Sequence, residues 1–246
     1  MKKTMFLLIL ISLASISFLS AQSLRIMTEE NAPFNFTSDS SYKGIAVDLL
    51  EIMLKDSGRS ETINEIKILP WARSYQEVQD KPNTLLFSMG RTESREDLFK
   101  WVGPIYSLQI GLIAKKDKNV KIGTMSDLKK YSTGTVRDGA PEQLLLKAGA
   151  KEGDLDRGSS LDANLKKLIA GRIDIVAFNV PAALYNLKKL GADLSNYEVV
   201  YVLKDLDLYY AFHSSTSAAI LNSLQKALDK AKQSGKYDSI VAEYLN

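Results

Sequence analysis

Arg95 is the residue of this sequence best suited to hold an anion. It closes the polar tetrapeptide Thr92-Glu93-Ser94-Arg95, and its guanidinium offers a rigid fork that takes a carboxylate through two charge-assisted hydrogen bonds. An arginine in a polar loop can also be a solvated surface residue, so the company it keeps matters. In Arg137-Asp138-Gly139-Ala140-Pro141-Glu142, Pro141 suits a first helical position. Free backbone N–H groups around Ala140 and Glu142 would then point out of a helix start, a natural carboxylate site. Arg137 could add a side-chain donor there or stand in solvent. Trp71 and Arg73 lie in Leu69-Pro70-Trp71-Ala72-Arg73, just beyond a strand end, where α/β proteins place their ligands. Trp71 would serve equally well in a packed core. Glu29, Glu30 and Asn31 sit in the same mouth and could meet a cationic group. Thr92 reads as a brace for its turn, Asp48 and Asp174 as caps or structural partners, and His213, beside Ser214 and Ser215, as a surface residue.

What the sequence lacks narrows the chemistry further. The 246 residues contain no Cys, which removes disulfides, thiolate metal sites, thiol nucleophiles and lipid anchors attached through Cys. One histidine leaves no His-based zinc site and no ordinary Ser-His-Asp triad. No metal and no cofactor is expected. Lys2 and Lys3, an almost unbroken apolar run over residues 5–13 and the ending Ser20-Ala21-Gln22 have the layout of a cleavable export signal over residues 1–21, the alternative being a membrane anchor. The 32 Lys+Arg less Lys2 and Lys3 stand against 29 Asp+Glu, so the exported chain carries no field for nucleic acid. A soluble periplasmic protein is expected.

Short apolar runs alternate with amphipathic segments, as in an α/β protein. Strands are predicted over residues 23–28, 65–69, 84–88, 132–136, 173–178 and 209–212. Helices are predicted from residue 45 to Gly58, from Pro141 past Ala148, over 161–169 up to Gly171, over 181–190 up to Gly191, and over 217–234 up to Gly235.

The order of short motifs resembles the extracellular solute-binding proteins of family 3, the polar amino-acid binding type of ABC transporters. The carriers are Pro33-Phe34 after the first strand and Gly44-Ile45-Ala46-Val47-Asp48-Leu49, where the family shows Gly-Phe-x-x-Asp-Leu. They continue with Thr92-Glu93-Ser94-Arg95, Gly103-Pro104-Ile105-Tyr106 and Ser126-Asp127-Leu128. Gly171-Arg172-Ile173-Asp174 and Gly235-Lys236-Tyr237 complete the series. Each is weak alone; seven in order across the exported chain are specific.

The resemblance implies a two-lobed α/β periplasmic-binding-protein fold of type II, with a ligand cleft between lobes and two hinge crossovers. Residues 22–110 with 206–246 would form lobe 1 and residues 111–205 lobe 2. It also implies site residues. Arg95 would clamp the ligand α-carboxylate, Ser88 and Gly90 would offer a hydroxyl and backbone groups, and Phe34 would place an aromatic ring near the ligand. Gly139-Ala140 stands where the family has Gly-Thr or Gly-Ser, one donor fewer. Asn179 stands where amino-acid binders carry the Asp that pairs with the ligand ammonium; it could equally cap a helix before Pro181. With Trp71, Arg73 and Glu30 these complete the candidate ligand residues. Without a charged partner at Asn179, common α-amino acids should bind weakly unless Glu29 or Glu30 substitutes, and an acid lacking the α-ammonium or an atypical amine should be preferred. The implied function is capture of a small polar, carboxylate-bearing solute by a monomer that serves an ABC permease or a sensor kinase, without catalysis. The alternative on the same fold is a cyclohexadienyl dehydratase, which would need a desolvated Glu or Asp near Arg95.

Overall fold

A computed structural model describes residues 23–245; the expected export signal lies outside them. The chain begins with β1 (Arg25–Thr28), a hairpin of β2 (Phe36–Ser38) and β3 (Ser41–Lys43), and helix α1 (Ile45–Asp56). Then come β4 (Lys67–Ile68), α2 (Trp71–Asp80), β5 (Thr84–Gly90) and the 17-residue β6 (Phe99–Lys115). A second set follows: β7 (Thr133–Val136), α3 (Ala140–Lys147), β8 (Leu155–Gly158), α4 (Leu161–Ile169), β9 (Ile175–Asn179) and α5 (Val180–Lys189). The chain ends with the 17-residue β10 (Tyr197–His213), α6 (Ala218–Gln233) and α7 (Lys236–Leu245).

Eight strands form one mixed sheet in the order β4-β1-β5-β10-β6-β9-β7-β8. β1 runs parallel to β4 and β5, and β7 parallel to β8 and β9, so each flank is built of strand–helix–strand units. The long antiparallel pair β6 and β10 joins the flanks. Upper β10 pairs with β5 from Leu208 to Phe212, whereas β6 pairs with β9 from Ile110 to Ala114. Only two strands therefore connect the halves where they meet. Among the described residues, no helix is long and apolar enough to cross a membrane.

Helix α1 buries Ile45, Leu49, Leu50 and Met53 at three- and four-residue spacing against the sheet. Its start is fixed by Gly44, at φ 121°, where a Cβ would lie 2.4 Å from the Phe34 carbonyl oxygen. That carbonyl accepts the Ala46 N–H at 2.8 Å, which seals Phe34 beneath the helix. Ser160, Asn179 and Ser217 cap α4, α5 and α6 by accepting from Ala163, Ala182 and Ile220.

The predicted strands and helices sit within a few residues of the observed ones, with some corrections. Residues 71–80, to which the sequence reading assigns no element, form α2, because Trp71, Ser74 and Val78 share its buried face. The late strand is far longer than 209–212, since β10 extends down to Tyr197 along β6. Asp174 accepts from the Ser132 N–H and hydroxyl, Asp48 accepts from Tyr244, and His213 bonds Ser215 beyond the end of β10.

Candidate functional site

The two halves enclose a cavity of about 40 Å³, lined by residues from seven of these elements and their loops. From the β5 half come Glu29, Asn31, Trp71, Ser88, Gly90 and Arg95. From the β9 half come Val136, Gly139, Ala140, Pro141, Phe178 and Asn179. Ile110, Leu206 and Leu208 of the crossing strands form the apolar floor. That volume holds roughly three waters.

Arg95 ends a short 3₁₀ turn begun at Thr92, whose carbonyl accepts the Arg95 N–H at 3.0 Å. Its side chain is 0% exposed. Nη1 donates to the Gly90 carbonyl at 3.1 Å and Nη2 to the Asp138 carbonyl at 2.8 Å, while Nε has no partner. The guanidinium carbon lies 4.9 Å from the Tyr75 ring centre and 5.6 Å from that of Trp71. Burial lowers its pKa from the ordinary value, with Tyr75, Asp138 and Glu29 opposing. Arginine nevertheless keeps its charge in proteins. No carboxylate lies within ion-pair distance of it among the described residues. The result is a buried, aromatic-flanked cation with an idle donor.

Ser88 faces the same space through a device of the backbone. It adopts φ 58°, and two residues of β5, Phe87 and Ser88, stand opposite the single Tyr210 of β10. This is a β-bulge, which re-aims a side chain. The Ser88 hydroxyl is buried without a partner. Two residues on, a Cβ at Gly90 would lie 2.4 Å from Leu206 Cδ2, the tip of a side chain that would have to turn aside. The missing side chain lets Leu206 close over the cavity floor.

Glu29 follows β1 and is 8% exposed. No hydrogen bond or ion pair reaches its carboxyl among the described residues, and burial pushes its pKa up to about 8, against the opposing pull of Arg95. Asn179 uses Oδ1 to cap α5, accepting the Ala182 N–H at 2.8 Å, and donates from Nδ2 to Asn31 Oδ1 at 3.3 Å. It lines the cavity and caps the helix at once. Gly139 and Ala140 open α3 beside Asp138.

The cavity is closed by bonds between the halves. The Asp138 carbonyl accepts from Trp71 Nε1 at 3.0 Å as well as from Arg95. Asn186 Nδ2 donates to the Ala32 carbonyl at 3.0 Å, and Lys147 pairs with Glu93 at 2.5 Å.

Seven of the ten candidate ligand residues thus share the cavity: Arg95, Ser88, Gly90, Trp71, Gly139, Ala140 and Asn179. Three stand elsewhere. Phe34 is fully buried under α1, 5.4 Å from the Tyr106 ring, and belongs to the core. Arg73 is exposed on α2 and lines a separate surface groove with Arg137 and Arg157. Glu30 is exposed, and its carboxylate accepts from the Thr37 N–H and hydroxyl of the hairpin. Its neighbour Glu29 faces inward instead. Phe178 and Ile110 were not anticipated as lining. The position of Phe178 at the end of β9, next to Asn179, was the available signal.

The family model for bacterial extracellular solute-binding proteins, family 3, matches residues 24–246. A probable histidine-binding protein of Campylobacter jejuni subsp. jejuni is 25% identical over 230 residues, covering 90% of this chain and 84% of that protein. The crystal structure of a histidine kinase sensor domain with similarity to periplasmic binding proteins superposes with a TM-score of 0.80, at 18% identity, over 92% of this chain and 96% of that one. The substrate-binding protein of an ABC uptake transporter from Streptococcus pneumoniae with bound histidine gives a TM-score of 0.80 at 17% identity, covering 92% and 93%.

Proposed function

This chain belongs to the bacterial extracellular solute-binding proteins of family 3, and from that membership we propose that it captures an amino acid whose carboxylate lands on Arg95. The carrying observation is the buried guanidinium with an unpartnered Nε and the unpartnered Ser88 hydroxyl, both lining one cavity between the halves. Buried donors left without acceptors are costly, and a carboxylate supplies what they lack. Members of this family bind small-molecule solutes and work outside the cytoplasm with ABC permeases or sensor kinases. Family membership makes this an extracytoplasmic protein; cleavage after residue 21 and delivery to the periplasm are our reading of its first residues.

The halves act as lobes, residues 22–110 with 206–246 against 111–205, and they turn about the crossing strands near 106–112 and 203–210. The pairing of β10 with β5 above Leu208, and of β6 with β9 beyond Ile110, supports that division. The protein works as a monomer and turns nothing over. A named relative is a probable histidine-binding protein, and structural neighbours hold histidine and arginine, which supports an amino-acid ligand.

One observation favours a second reading. Glu29 is a desolvated carboxyl in the cavity of Arg95, as a dehydratase acid would have to be. Incubation with prephenate and arogenate separates the two, since only the enzyme releases an aromatic product. The binding reading is tested by a thermal-shift screen of the twenty standard amino acids with the exported chain. At least one should raise the melting temperature, because a solute that binds only the folded state stabilises it. A screen without any shift would overturn it.

A further inference from the structure

An amino acid brings an ammonium as well as a carboxylate, and burying that cation without an acceptor of negative charge is costly. Asn179 carries no charge, and its one acceptor atom already holds the Ala182 N–H at 2.8 Å. Asn31 Oδ1 is taken by Asn179. Among the residues lining the cavity, two are ionisable: Arg95 and Glu29. Arg95 is reserved for the anion. Glu29 is 8% exposed, opens into the same cavity and has no partner of its own among the described residues.

We propose that Glu29 receives the ligand ammonium in place of Asn179, and that it gives up its own proton to solvent as it does so. This rests on the amino-acid reading of the site. In the empty cavity Glu29 is a neutral acid, because burial disfavours its carboxylate more than Arg95 stabilises it. Among the described residues, no titratable side chain other than Arg95 faces it. The α3 start offers Gly139, Ala140 and Pro141, β9 offers Phe178 and Asn179, and the crossing strands offer Ile110, Leu206 and Leu208. From α2 comes Trp71, with Tyr75 behind it against Arg95. The Asp138 carboxylate is turned toward Arg157, at 3.8 Å. When an ammonium enters, the carboxylate form gains an adjacent cation and the O–H proton leaves. The cavity then holds two opposite pairs: guanidinium with carboxylate, and carboxylate with ammonium. A zwitterion fits this arrangement. An acid lacking the amino group leaves Glu29 protonated and binds without releasing a proton.

The consequence has a definite sign. Below about pH 8 each binding event must remove a proton from Glu29. Affinity for an amino acid should therefore rise about tenfold per pH unit from pH 6 to 7 and level off near pH 8. The test runs the twenty standard amino acids by thermal shift at pH 6.0 and 8.5, on the unmodified protein and on Glu29→Gln. Each amino acid that stabilises is then titrated calorimetrically at pH 6.5, in phosphate and in Bis-Tris. The difference in heat between the two buffers counts the protons released. The expected result is close to one more proton released by the unmodified protein than by Glu29→Gln, and at least tenfold weaker binding by the variant at pH 8.5. Comparing the two proteins cancels any proton the amino acid itself contributes, as the histidine ring would. Glu29→Gln replaces a neutral acid with a neutral amide of the same shape. Glu29→Asp, which keeps the carboxyl, should still release a proton and guards against a misfolded variant. Equal proton counts in the unmodified protein and Glu29→Gln, or equal affinity at pH 8.5, would overturn the proposal while leaving the amino-acid reading in place. If no amino acid stabilises the unmodified protein at pH 8.5, that reading falls and the proposal falls with it.

Discussion

Arg95 sits in the cavity wall with two carbonyls, two aromatic faces and no anion. A buried charge held this way does little for the stability of the empty protein, because its desolvation offsets what its bonds return. Arg95→Met, similar in length and apolar, should leave the melting temperature of the empty protein unchanged or raised. Binding of the amino acid found by thermal shift should weaken by about 2–5 kcal/mol, the usual cost of removing one partner of a buried charged pair. Unchanged calorimetric affinity would refute the role. Ser88 gives a sharper separation of fold from function. At φ 58° a Cβ is strained, so Ser88→Gly should be about 1 kcal/mol more stable than Ser88→Ala in urea denaturation. Both variants lose the hydroxyl, so both should bind more weakly, each by about 1 kcal/mol. Arg95 was legible in the sequence from its polar tetrapeptide. The Ser88 bulge was not, because nothing about serine announces a left-handed backbone. The choice between Glu29 and Glu30 was equally hidden. Two adjacent acids look alike in sequence, and the hairpin that engages Glu30 decides which one turns inward.

At the scale of elements, the start of α3 couples the halves. The Asp138 carbonyl, held by a left-handed turn at φ 58°, accepts from Trp71 on α2 and from Arg95 beyond β5. Trp71→Phe keeps an aromatic ring beside Tyr75 and removes the indole N–H. Closure should lose about 1 kcal/mol, one neutral hydrogen bond, and calorimetric affinity should fall by roughly fivefold. An unaltered affinity would mean that this bond does not distinguish the open from the closed form. Helices with an apolar stripe, such as α4 and α6, were legible in the sequence because their spacing and caps agree. Helix α2 was not: Pro70 reads as the end of a strand, and polar residues outnumber apolar ones on its surface. The crossing strands were only partly visible. Gly103-Pro104 interrupts β6, and charged residues punctuate β10 at Lys204, Asp205 and Asp207, so neither reads as a 17-residue strand. They are recognisable only once paired with each other.

For the molecule as a whole, two halves joined by two strands and bridged across their cavity by Trp71, Arg95 and Asn186 are suited to opening and closing about those strands. The cavity admits about three waters as it stands. In solution the empty protein should therefore sample a more open form, and small-angle scattering should show a smaller radius of gyration at saturating amino acid than without it. Identical curves would argue against closure. The two-lobed architecture was legible from seven short motifs in order, whereas the identity of the two ionisable residues in the cavity needed three-dimensional placement. The most direct measurement is a crystal structure of the exported protein grown with the amino acid that stabilises it most. The predicted electron density has the carboxylate on Arg95 Nε and the Ser88 hydroxyl, and the ammonium within hydrogen-bond distance of Glu29. An amino acid bound outside this cavity, or one bound inside it with its carboxylate away from Arg95, would contradict that prediction.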